Sequence, residues 1–212
     1  MKKLITLLLF LTSVHAFGKP EYTFNPIGTF YSNGLYLTDF EPRGFFVKKL
    51  DNNQYNLTRM VELSRRVTRG YTLTKDNKPV AFHDCFLHSA GTLFDSAKKF
   101  YVHDADDTVI GCIDGAFFTW DCADFTFYDE NNEPFAQAIL SDGYSTLTVT
   151  NLKDATSFTC IKTLFEPNFN EVRYYWSICL DGQELTDERF FWPFMAFISE
   201  VWWWGKNKGI AL

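Results

Sequence analysis

The chain has 212 residues, 18% of them aromatic and 22% charged, with a formal charge of −6. That length suits one domain with a substantial apolar core, and the acidic balance excludes a general nucleic-acid binder, which needs a basic footprint. Its five cysteines include no Cys-x-x-Cys pair, which excludes zinc-ribbon and thioredoxin chemistry.

The N-terminus reads as a targeting segment. Lys2 and Lys3 precede an apolar run from Leu4 to Val14, and Val14-His15-Ala16 is an acceptable small-residue cleavage site. The expectation is a signal peptide over residues 1–16 and a bacterial protein exported to the periplasm or beyond. Cleavage removes two lysines and takes the formal charge from −6 to −8. Residues 17–212 contain no linker, low-complexity run or charge block, so they form one domain.

Short strands separated by turns follow. Tyr22 to Phe24, Thr29 to Tyr31, Leu35 to Leu37 and Phe45 to Leu50 are strand candidates, with a turn at Asn33-Gly34. Leu57 to Val67 fits both helical and alternating spacing and is read as a strand because its flanks are β-like. Tyr71 to Thr74, a turn over Asp76 to Pro79, and Val80 to Phe82 read as a hairpin.

An internal repeat comes next. Phe100 to Ile113 and Phe125 to Ala138 each read strand, acidic turn, strand, with Asp104 matching Asp129. Ser145 to Thr150, Phe158 to Leu164 and Val172 to Leu180 are further strands, and Asp181-Gly182 is a turn. Cys112, Cys160 and Cys179 fall within strand-like runs, so buried small apolar side chains are their simplest reading.

The last element is a helix expected over Pro193 to Trp204. Proline favours a first helical turn, and Gly205 reads as a stop. The helix is apolar nearly all round, so it is buried in protein or in lipid. At about 1.5 Å per residue it spans roughly 18 Å against a bilayer core of about 30 Å, which favours a core helix. Ten to twelve antiparallel strands leave edges that closure removes, and a barrel of that size has an interior wide enough for the helix. The fold expected is mainly β, a closed antiparallel barrel of about twelve strands around a C-terminal hydrophobic helix.

Lys99 to Gly111, its second copy from Phe125 to Ala138, and the late apolar helix resemble the tubby-like superfamily, in its LURP-one-related and phospholipid-scramblase-like branch. The resemblance runs from about Leu93 to Trp204. It departs where Asp107 and Asn132 stand at the usual turn glycine. It implies a twelve-stranded barrel around a central helix, and phosphoinositide binding or lipid scrambling among the roles. No shared catalytic set transfers.

Three groups of residues could carry chemistry. Arg65, Arg66 and Arg69 form the best basic cluster, with Lys48-Lys49 and Lys98-Lys99 behind it. Arginine suits lipid phosphates, and solvated surface is the plainer alternative. His83, Asp84, Cys85 and His88 are four possible metal ligands, but strand alternation sends Asp84 and His88 away from His83 and Cys85. Asp104, Asp106 and Asp107 lack the glycine and late glutamate of an EF-hand, and read as a hairpin turn. The expectation is a non-enzymatic binding module without a cofactor, which contacts a phospholipid headgroup or a protein partner. The alternative is a structural, envelope-associated protein that binds no lipid. A hydrolase or metal enzyme using His83, Cys85 and His88 is a third reading.

Overall fold

A computed structural model describes residues 18–27, 30–32, 37–38, 44–50, 58–65, 70–87, 97–117, 122–168 and 171–207. The leader expected over residues 1–16 and the turn at Asn33-Gly34 lie outside them. The described residues form fourteen strands and one helix, α1, Glu188–Asn207. The strands are β1 (Tyr22–Ile27), β2 (Phe30–Ser32), β3 (Leu37–Thr38), β4 (Gly44–Lys49), β5 (Thr58–Arg65), β6 (Tyr71–Lys75) and β7 (Lys78–Leu87). They continue with β8 (Ala97–Asp104), β9 (Val109–Phe117), β10 (Ala123–Asp129), β11 (Pro134–Ser141), β12 (Thr146–Asn151), β13 (Ser157–Asn168) and β14 (Glu171–Cys179).

Twelve of these, β1 and β4 to β14, pair antiparallel in one continuous sheet that closes on itself where β1 meets β14. The closing ladder is short: Tyr22 faces Ile178, Thr23 faces Ser177 and Phe24 faces Trp176. Beyond Phe24 the strand keeps its partner β4 through Ile27, while the far end of β14 pairs with β2 at Glu171 and Val172. The hairpin of β2 and β3 is therefore an annex at one mouth of the barrel.

Alternation decides which side chains turn inward. In β10, Ala123, Phe125 and Phe127 are buried, while Asp124, Thr126 and Tyr128 between them are only partly so. The inward phenylalanines face small residues: Phe125 lies opposite Ala138 and Gly115, and Phe127 opposite Ala136. That pairing of large with small leaves the barrel axis open for α1.

The helix fills that axis. All ten residues from Phe190 to Ser199 are buried. Their rings reach strands around the whole wall. Phe190 meets Phe135 at 5.1 Å, Phe191 meets Phe158 at 5.4 Å, and Trp192 stacks on Phe24 at 6.2 Å. Phe194 meets both Phe125 and Phe127 at 5.1 Å, and Phe197 meets Phe100 at 4.8 Å. Trp176 Nε1 donates to Ser199 Oγ at 2.9 Å, and that hydroxyl donates to the Met195 carbonyl at 2.7 Å. The expected closed barrel around a hydrophobic helix is the fold observed.

The helix itself differs from expectation at both ends. It begins at Glu188, five residues before Pro193, and runs through Gly205 to Asn207. Asp187 sets the start. Its Oδ1 accepts from the Arg189 amide at 2.9 Å, and its carbonyl accepts from the Phe190 and Phe191 amides at 3.0 Å. Pro193 thus sits in the helix interior, at a usual cost of about 3 kcal/mol, which the burial of apolar residues on both sides of it offsets. At 20 residues the helix is roughly 30 Å long, so length no longer separates a core helix from a membrane span. Packing does for its described side chains: Phe190 to Ser199 are enclosed by the wall. No helix among the described residues is long and apolar enough to cross a membrane.

The ambiguous stretch is strand β5 from Thr58, and the four expected turns within the described residues form. Asp76 and Asn77 both adopt positive φ, as two-residue hairpin turns require. Gln183 donates to the Leu180 carbonyl at 2.9 Å across Asp181-Gly182. Asp104 and Asp129 head the repeated turns.

Candidate functional site

The two mouths of the barrel differ in what they carry. One mouth holds the β6–β7, β8–β9, β10–β11 and β12–β13 turns and the start of α1. Each of those turns contains a carboxylate: Asp76; Asp106 and Asp107; Glu130 and Glu133; Asp154. Lys75 Nζ reaches Glu188 Oε1 here at 2.8 Å, tying the β6–β7 hairpin to the first helical turn. Arg189 grips Asp187 with three contacts of 2.6 to 3.1 Å, and this hydrogen bonding holds its guanidinium pKa above the usual value.

The repeated turns use their aspartates structurally. Asp104 Oδ1 accepts from the Asp106 and Thr108 amides, and Asp129 Oδ1 accepts from the Asn131 and Glu133 amides, all at 2.9 Å. Asp107 and Asn132, at the same place in each copy, adopt φ of 65° and 62°. These are conformations in which Asp and Asn are tolerated and glycine is favoured. The described residues contain no group of three or more His, Cys, Asp or Glu side chains able to hold a metal ion.

The opposite mouth carries Arg65. Arg65 ends β5, in register with Tyr71 of β6. Arg66 and Arg69 belong to the connection between them and lie outside the described residues. Lys98 and Lys99 open β8 at the same mouth, in register with Leu87 and Phe86 of β7. Lys48 and Lys49 do not join them. They close β4 at the acidic mouth, where Lys49 pairs with Thr58 at the far end of β5 from Arg65. The three basic clusters of the sequence are therefore two separate groups. Lys99 Nζ lies over the Tyr101 ring at 5.8 Å, and Lys48 Nζ over Phe46 at 5.0 Å.

His83 stands apart from Asp84 as alternation requires. Asp84 is on the outer face, with Oδ2 3.9 Å from His103 Nε2. His83 is inside, fully buried, with its ring 4.6 Å from Phe100 and 6.3 Å from Tyr71. Neither ring nitrogen has a hydrogen-bond partner among the described residues. Burial pushes its pKa down to about 3, with the charge of His103 adding to the effect. The Cys85 backbone lies opposite Phe100, and His88 lies outside the described residues.

Sequence reasoning missed Lys162. It lies inside the wall of β13, buried, with Nζ 4.9 Å from the Trp176 ring centre. The signal was available: Phe158, Cys160 and Lys162 alternate on one face. The Cys160 thiol, fully enclosed on the same face, has its pKa raised well above the ordinary value by burial. Cys112, Cys160 and Cys179 are buried free thiols and Cys122 is half-buried.

Together these features define a helix-filled antiparallel β-barrel with a carboxylate in each described short turn of one mouth, and with Arg65, Lys98 and Lys99 on strand ends at the other. Comparison with family models, curated proteins and solved structures found no match to this chain.

Proposed function

We propose that the protein is an exported, non-enzymatic binding module that contacts anionic phospholipid headgroups, phosphoinositides among them, through Arg65, Arg66 and Arg69. The observation that carries this reading is the filled interior. Aromatic side chains of α1 occupy the barrel axis from Phe190 to Phe197, so binding falls to the mouths. At the arginine mouth, residues 65–69 bring three guanidinium groups into one short connection that contains no carboxylate. Arginine matches phosphate oxygens bidentately, and each basic residue near an anionic membrane surface contributes about 1 kcal/mol. Carboxylates such as Asp142 occur at this mouth too, so the attraction is local to that connection. The closed barrel around an apolar helix is also what resemblance to the tubby-like superfamily implies, and membership of that superfamily is part of the proposal.

Flotation of the purified protein with phosphatidylcholine vesicles, with and without phosphoinositide, tests this reading. Selective, salt-sensitive flotation that Arg65→Ala, Arg66→Ala and Arg69→Ala together reduce supports it. Equal flotation with both vesicles would replace headgroup recognition with apolar anchoring. No flotation would overturn the lipid reading in favour of a structural, envelope-associated protein that binds a protein partner.

A further inference from the structure

We propose that His83 is an acid-sensitive element of the barrel, and that protonating it loosens the wall around α1 and makes the apolar helix accessible.

The argument starts from where the imidazole sits. β7 places His83 on the inner face, in register with Tyr71 on β6 and Val102 on β8. Phe100 of β8 covers it at 4.6 Å. Phe100 in turn meets Phe197 at 4.8 Å and Phe194 at 6.2 Å, both on α1. Phe100 therefore touches both the histidine and the helix.

A neutral imidazole has one donor and one acceptor nitrogen, and here both are buried with no partner among the described residues. The site cannot host the imidazolium ion either. Tyr71 is the polar group facing the ring from β6, Phe100 and Val102 line β8, and Phe194 and Phe197 are the α1 rings behind Phe100. Among the described residues no carboxylate offsets the charge. Asp84, the next residue on β7, is on the outer face with His103, and the charge of His103 opposes protonation. Any state in which water reaches His83 restores its ordinary proton affinity.

The direction follows from linkage. The folded form protonates at about pH 3 and the hydrated form near 6.5, so the opened state binds more protons between those values. Stability is fully present above 6.5 and is lost as pH falls towards 3. Between pH 7 and pH 5 the opening constant rises about 25-fold through this residue alone.

Two measurements test the proposal on the whole protein. The first is binding of an apolar dye, with hydrogen exchange of α1 amides corrected for intrinsic rate, from pH 7 to pH 4.5. The native protein should show the roughly 25-fold rise in opening between pH 7 and pH 5, and His83→Leu should lack it. The same pH response in both proteins would overturn the proposal. The second does not depend on the variant folding: imidazole titration of the native protein by NMR. The His83 ring should stay neutral in the folded protein at pH 5. A ring that titrates near 6.5 without opening would overturn the proposal equally.

Discussion

The Trp176 indole donates to the Ser199 hydroxyl at 2.9 Å, so one polar bond joins the barrel wall to the helix deep in an aromatic core. Both side chains are fully buried. Ser199→Ala leaves the indole N–H without its acceptor, which costs about 1–3 kcal/mol. Trp176→Phe in the Ser199→Ala background should cost less than the two changes taken singly, because it removes the orphaned donor. Urea denaturation of the four proteins measures the coupling. Strict additivity would mean that the bond adds nothing beyond packing.

Asp104 and Asp129 each hold two backbone amides of their own turn. Replacing either with Ala should cost about 1 kcal/mol, the low end for such bonds because both turns are exposed. The two losses should add, since the turns belong to separate hairpins. Asn132, at φ 62°, gives a sharper test. Asn132→Gly should be close to neutral, while Asn132→Ala should cost about 1 kcal/mol for its left-handed backbone. Thermal unfolding of the four single variants and of the Asp104→Ala, Asp129→Ala double variant checks both statements.

What was legible in the sequence was local. Asp104 and Asp129, Asp76-Asn77 and Asp181-Gly182 carry their turn chemistry within four or five residues, and all form the expected turns. The alternation of Ala123, Phe125 and Phe127 shows the inner face of the wall in the same way. The helix start was misplaced because Pro193 is a strong local signal that tertiary burial overrides, while the Asp187 cap lies six residues upstream. Lys162 was missed because its aromatic platform, Trp176, is supplied by the next strand. The separation of Lys48-Lys49 from Arg65 follows from strand order, which no single segment encodes.

Gly111 is the position in the repeat least tolerant of a side chain. Its φ is 152°, and a Cβ there would run into the Tyr128 carbonyl oxygen and the Phe190 ring. The nearer clash is with the backbone of β10 and the second with the rim of the Phe190 ring on α1, so the strand must shift and the ring must turn aside. Gly111→Ala should cost about 3 kcal/mol or more. Gly143, also at positive φ but with open space around it, is the control. Gly143→Ala should cost only the backbone strain, about 1 kcal/mol. Chemical denaturation distinguishes them, and equal losses would show that the contacts with Tyr128 and Phe190 add nothing beyond backbone strain.

Capping and charge make separable contributions at the start of α1. Asp187 supplies the cap to the Arg189 amide and a bidentate partner to the Arg189 guanidinium, whereas Lys75 and Glu188 form a half-exposed ion pair at 2.8 Å. Losing an N-cap costs about 0.5–2 kcal/mol, while an exposed pair contributes under about 1 kcal/mol and is screened by salt. Asp187→Ala should therefore destabilise the protein more than Lys75→Ala. Raising the salt concentration should erase most of the Lys75→Ala effect and leave most of that of Asp187→Ala. Asp187→Asn keeps the capping oxygen but weakens the Arg189 contact, so it should retain most of the native stability. If Asp187→Asn were as damaging as Asp187→Ala, the Arg189 pair rather than the cap would be what starts the helix at Glu188.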